Sequence, residues 1–134
     1  MPDMSVEQAK NLAQEEIQKR KDAILDLNHE IHADPEISWE EFRAMERIAT
    51  FLTNYGFEVK TGVYGCETAF EAVVGTGDLT VTLCSEYDAL PAIGHGCGHN
   101  VIATVGVGAA LALAPLLDEA GITLKLLGTP AEEH

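Results

Sequence analysis

The stretch LTVTLCSEYDALPAIGHGCGHN, residues 79–100, decides the fold. Its first seven residues, Leu79–Ser85, are rich in Val, Thr and Leu and read as a strand, apolar enough to be central in a sheet. A glycine-rich loop follows, Pro91 to Gly98. From about Asn100 to Leu117 the chain is almost wholly apolar and built of small residues, which predicts a closely packed helix buried on most sides. Ile122–Leu127 then reads as a strand covered on both faces. Strand, helix and strand in this order imply a right-handed crossover between parallel strands. The expected fold class is therefore α/β: a mixed sheet with a parallel crossover and covering helices.

Upstream, residues 5–33 read as one long helix. Val6, Leu12, Ile17, Ile24, Leu27 and Ile31 recur at helical spacing, and Asp34-Pro35 ends the run. Ser38 and Glu41 have the spacing of a capping box for a second helix over 39–55. Phe42, Met45, Ile48, Ala49 and Leu52 would form its buried stripe, and Gly56 its stop. Phe57–Val63 and Thr68–Gly75 are short strands, and Gly75-Thr76-Gly77-Asp78 reads as a hairpin turn. The 134 residues form a single partial domain, helical over 1–56 and α/β over 57–134.

Composition narrows the function. Eight Lys+Arg stand against 22 Asp+Glu, for a net charge of −14. Nucleic acid and anionic membrane surfaces are disfavoured partners, because no basic footprint exists. No apolar run is expected to reach the ~20 residues of a membrane span. The opening MPDMSVEQAK has no basic and apolar signal pattern. Three cysteines without a disulfide-type spacing predict a reducing, cytoplasmic compartment.

Two loops carry the chemistry. SEYDALPAIGHGCGHN follows one strand and GTPAEEH, residues 128–134, follows the next, both at carboxyl ends where open α/β sheets place ligand sites. The first holds Glu86, Asp88, His95, Cys97 and His99, and the second Glu132, Glu133 and His134. Thiolate, imidazole and carboxylate are ligands of zinc and neighbouring divalent metals. Gly94, Gly96 and Gly98 allow the turn that Cys97 and His99 need to converge. Phosphate is the rival ligand, since the loop opens a helix. But the glycine spacing fits no phosphate-binding pattern, and no Lys or Arg occurs from Thr61 to Leu124. Metal is favoured. Asp88 alone would also suit a turn; His29, His32, Cys66 and Cys84 are expected to be structural.

These residues carry a resemblance. SEYDALPAIGHGCGHN, followed some thirty residues later by GTPAEEH, and HADPEISWEE near the start, resemble the amidohydrolase branch of metallopeptidase family M20. The branch motif H-A-C-G-H-D stands here as His95-Gly96-Cys97-Gly98-His99-Asn100. Asn100 and the flanking SEYDALP resemble a subgroup similar to β-alanyl-lysine dipeptidases. The resemblance covers the chain from about residue 22, and only the opening part of the family's catalytic domain. It implies Cys97, His99 and Glu133 as metal ligands, Glu132 as general base and Asp88 as the aspartate orienting the ligands. Glu86 stands where some branches place a metal-binding histidine. Two further histidine ligands, and a second domain with dimer contacts, come later in the family's chain.

The expected function is divalent-metal-dependent hydrolysis of an amide bond in a small peptide or N-acyl amino acid, β-alanyl dipeptides included. The implied cofactor is two zinc ions, with manganese or cobalt as alternatives, and the implied assembly a homodimer. The chain stops directly after a core strand, which reads as a truncated chain or partial gene model, inactive alone. The competing readings are a catalytically dead fragment and a simple metal-binding or interaction module.

Overall fold

The computed structural model describes residues 4–134, so residues 1–3 of the expected 1–134 unit lie outside the described residues. The elements are α1 (Val6–Ala33), α2 (Phe42–Asn54), β1 (Glu58–Thr61), β2 (Phe70–Val74), β3 (Leu79–Ser85), α3 (His99–Leu113), a 3-10 turn, α4 (Leu117–Ala120) and β4 (Ile122–Gly128). The fold is α/β with a mixed four-stranded sheet in the order β1-β2-β4-β3. β3 and β4 are parallel, from Leu79 opposite Ile122 to Ser85 opposite Gly128, joined by the α3 crossover. β2 runs antiparallel to both β1 and β4.

That order corrects three expectations. Gly75–Asp78 is not a hairpin, because β4 lies between β2 and β3 and the turn crosses its end. There the Gly77 backbone presses on Gly121, so close that a Cβ on Gly77 would lie 1.9 Å from a backbone carbon. β3 is an edge strand, not a central one, and Leu79, Thr80, Thr82 and Cys84 are exposed along it. Cys84 is therefore no buried hydrophobe. β4 is interior to the sheet but covered on one face only: Leu124, Leu126 and Gly128 are buried and the alternate residues are partly open. The other face carries the Lys125–Glu71 ion pair at 2.9 Å.

The core lies between the sheet and the helices. Leu27 and Ile31 of α1, Ile48 and Leu52 of α2, Phe70, Val107 of α3, Leu124 and Leu126 pack together. Each such buried side chain contributes roughly 1.5–3 kcal/mol. α3 sits close on the sheet because Gly106 has no side chain: a Cβ there would meet the Ser85 hydroxyl at 2.2 Å and Leu126 at 3.3 Å. The helical run His99–Ala120 spans 22 residues and contains an 18-residue stretch of mean hydropathy 1.9, so an apolar run of membrane-spanning length does exist. Of that stretch 61% is buried within the fold, as in a core helix, although Val101, Ile102 and Val105 remain exposed.

The helix ends differ from their sequence reading. Ser5 caps α1 in a capping box with Gln8. Its amino-terminal half buries little; Val6 is 71% exposed. Ser38 and Glu41 form no capping box. The α2 amides of Arg43 and Ala44 instead donate to the Glu36 carboxylate (3.1 and 2.7 Å). Ser38 and Glu41 are thereby left to bind other partners, and Phe42 is exposed rather than buried.

Candidate metal centre

The parallel pairing of β3 and β4 brings both chemical loops to one sheet edge. The Thr129 amide donates to the Ser85 carbonyl at 2.8 Å, which ties the loops where they leave the sheet. After Ser85 the extended chain alternates: Tyr87 turns into the core against Phe70 while Glu86 stays partly open. The glycine loop then turns back through Gly94 (φ 63°) and Gly98 (φ 76°), both left-handed. It delivers His99 as the first residue of α3, only 2% exposed.

His99 is the centre of the cluster. Its Nδ1 lies 2.7 Å from the Asp88 carbonyl oxygen and 3.0 Å from Asp88 Oδ1. Both partners are acceptors, so Nδ1 carries the proton and Nε2 presents a lone pair. That lone pair faces Glu86 at 3.4 Å, Glu132 at 3.4 Å and Glu133 at 3.6 Å. Ligand atoms of Glu86, His99 and Glu132 all lie within 4.8 Å of one another. Three carboxylates around an imidazole lone pair repel one another unless a cation sits among them, so the donor set fits a divalent metal. The α3 amino terminus adds only a partial positive charge.

The surrounding groups bear the imprint of that crowding. The Glu132 carboxyl is pushed up by the Glu86 charge, then by burial and Glu133. The Cys97 thiol is pushed up by its hydrogen bond to Glu133 and by burial. Burial would raise Asp88, but the backbone N–H groups of Glu133 and Glu132 hold it ionised below its ordinary range. Asp88 Oδ2 also accepts from Ser38 Oγ at 3.2 Å and Glu133 N at 3.0 Å. One buried carboxylate thus holds the histidine, the second loop and the turn before α2 together.

Comparison with known proteins bears on what this centre is. The chain is 37% identical to the Xaa-Arg dipeptidase of Mus musculus, over 96% of this chain and 33% of that protein. It is 34% identical to one of the subunits of the p-aminobenzoyl-glutamate hydrolase of Escherichia coli (strain K12), over 81% of this chain and 26% of that one. Among solved structures, a Bacillus subtilis protein described as a dinuclear metal-binding peptidase from the M20 family matches with a TM-score of 0.77 and 23% identity. That match covers 87% of this chain and 37% of that one. The chain belongs to the M20 amidohydrolase family. It spans a third or less of the length of these two curated relatives. No family model matches it.

Of the residues that the M20 resemblance singles out, His99, Glu132, Glu133 and Asp88 meet at one point, and Cys97 lies against Glu133. The tightest group, however, contains Glu86, to which the resemblance gave no carboxylate role. His95 instead stacks on His32 of α1, 6.3 Å between ring centroids. Asn100, where the M20 motif has Asp, donates to Asn28 Oδ1 at 2.9 Å and ties α3 to α1. Sequence reasoning missed Glu41. Its carboxylate is fully buried, accepts from the Ala131 amide at 2.6 Å and from Thr68 Oγ1 at 3.1 Å, and anchors the loop bearing Glu132. Burial pushes its pKa up. The available signal was an acidic residue in the conspicuous HADPEISWEE segment, which its capping spacing masked.

Proposed function

We propose that this chain supplies part of the active site of a divalent-metal-dependent hydrolase of amide bonds, acting on dipeptides or N-acyl amino acids, β-alanyl dipeptides included. The convergence of the His99 lone pair with Glu86, Glu132 and Glu133 carries the reading. The names of the mouse and Escherichia coli relatives, a dipeptidase and an acyl-glutamate hydrolase, support it.

In this reading His99, Glu133 and Cys97 hold the metal, and Glu86 stands beside them. The thiolate favours zinc. A metal held there would supply Lewis acidity, lowering the pKa of the attacking water and polarising the scissile carbonyl. Glu132 takes the proton from the attacking water and returns it to the leaving amine. Its crowded carboxyl, raised by Glu86, suits a group that must accept and then release a proton. Asp88 touches no substrate; it keeps His99 in the tautomer that leaves Nε2 free.

The test separates the two adjacent glutamates. In the full-length enzyme, Glu132→Gln is expected to retain metal and lose turnover about 10²- to 10⁴-fold. Glu133→Gln is expected to lose metal. The presence of Glu132 in the tightest triad supplies the alternative, in which the roles are exchanged. Loss of metal from Glu132→Gln with retention in Glu133→Gln would establish that exchange.

A further inference from the structure

Two adjacent glutamates reach one nitrogen. Glu132 Oε2 and Glu133 Oε1 lie 3.4 and 3.6 Å from His99 Nε2. They arrive from different sides, Glu132 next to Glu86 and Glu133 bonded to the Cys97 thiol. Consecutive side chains of an extended segment point to opposite faces, so a straight chain could not deliver both. The backbone curls instead. The His134 amide donates to the Ala131 carbonyl at 3.2 Å, and Ala131 stands at φ 57°, left-handed without being a glycine. Such a conformation is costly and persists only where its surroundings impose it. Here two buried carboxylates hold the peptides on either side of Ala131. Upstream, the Ala131 amide donates to Glu41 Oε2 at 2.6 Å; downstream, the Glu133 amide donates to Asp88 Oδ2 at 3.0 Å. Glu41 is 0% exposed and its side chain caps no helix, because Glu36 takes the α2 amides. It is fixed in turn by Thr68 Oγ1 at 3.1 Å, and the Thr68 carbonyl accepts the Tyr87 hydroxyl. The turn before it, left-handed at Trp39 (φ 69°), touches the same loop where the indole lies edge-on to His134.

We infer that Glu41 is a positioning residue for Glu132: it holds Ala131 in the left-handed form that turns the Glu132 carboxylate onto the centre. The inference rests on the amide-hydrolase reading above, in which Glu132 moves the proton. Glu41 touches neither substrate nor metal and acts through one backbone amide. Without its carboxylate nothing holds the upstream peptide, and Ala131 falls back to an ordinary right-handed or extended backbone. The Glu133 amide keeps its bond to Asp88, so the displacement falls on Glu132, the residue next to the freed hinge. The two glutamates thus have separate supports, one from the turn before α2 and one from the loop after β3.

Two measurements test this. The first is amide hydrogen exchange by NMR on this chain without metal. Glu41→Ala is expected to lose protection at the Ala131 amide and keep it at Glu133, and Glu41→Gln, whose amide oxygen still accepts from Ala131, to restore it. An Ala131 amide unprotected in the wild type, or still protected in Glu41→Ala, would overturn the inference. The second is steady-state hydrolysis of β-alanyl-lysine by the full-length enzyme, with zinc content measured in parallel. Glu41→Ala is expected to lower kcat roughly 100-fold, the cost of a misplacement of about 1 Å, with KM and zinc content within about 2-fold of wild type. Adding Glu132→Gln to it should give no greater loss than Glu132→Gln alone, because the two changes disable one group. Glu41→Gln should rescue kcat. Ile48→Val, which thins the α2 core without touching the loop, should leave kcat unchanged, so destabilisation alone does not account for the loss. A wild-type kcat in Glu41→Ala, beside a large loss in Glu132→Gln, overturns the inference and leaves the hydrolase reading standing. No hydrolysis, or turnover indifferent to Glu132→Gln, refutes that reading, and the exchange measurement then decides by itself whether Glu41 holds the loop.

Discussion

Replacing Asp88 by Asn is the sharpest test of how the centre is held. Asp88 is 1% exposed, and its two oxygens face His99 Nδ1, Glu133 N and Ser38 Oγ at 3.0–3.2 Å, all of them donors. A carboxamide has the same shape but only one acceptor oxygen. With that oxygen on the loop side, its NH₂ opposes the His99 Nδ1 proton, which the Asp88 backbone carbonyl still accepts at 2.7 Å, and pushes the ring out of its place in the cluster. With the amide flipped, NH₂ opposes the Glu133 amide and pushes the 129–134 loop away. Either way a metal ligand is misplaced. Loss of such a supporting partner typically costs 10- to 100-fold in metal affinity, about 1.4–2.7 kcal/mol. Calorimetric titration of the wild-type and Asp88→Asn chains with Zn²⁺ at pH 7 reads this directly, with circular dichroism confirming the fold. An unchanged affinity in a folded variant would refute the claim that the Asp88 carboxylate positions His99 and the 129–134 loop.

Three further outcomes follow from the geometry. Gly77→Ala should destabilise the fold by about 3 kcal/mol or more, at the upper end of overpacking, because its Cβ would meet the Gly121 backbone; an unchanged urea midpoint would show that the crossing is looser. Glu41→Ala strands the Ala131 amide and should cost about 1–3 kcal/mol, whereas Glu41→Gln can keep both bonds without a buried charge and should match or exceed wild type in the same urea titration. Asp34 is held well below its ordinary pKa by hydrogen bonds to Arg43, then Arg47. A depressed acid stabilises the fold above its unfolded pKa of about 3.9, and that contribution fades as pH falls toward the folded value. The stability gap between wild type and Asp34→Asn, small for an exposed pair, should be present at pH 7 and shrink below pH 4 in urea titrations at each pH.

The sequence by itself determined the parallel crossover and the meeting of the two loops. Both follow from local signals: an apolar strand, a glycine turn, a small-residue helix and a second apolar strand, which have one sterically favoured connection. The candidate site residues were equally legible, because Cys97, His99, Glu132 and Glu133 are chemically distinctive wherever they lie. Tertiary structure alone decided that β4 inserts between β2 and β3. Gly75–Asp78 has the composition of a hairpin turn, and strand pairing is a long-range choice that a turn does not encode. It also decided the fate of Ser38 and Glu41, whose capping spacing is overruled by Asp88 and by Ala131, 50 and 90 residues further along the chain. Glu86 stood in sequence as one candidate among several in the first loop, and only the fold decided that it faces the His99 lone pair. Trp39 is an ordinary aromatic residue in sequence, and only the structure shows the left-handed backbone that presents it.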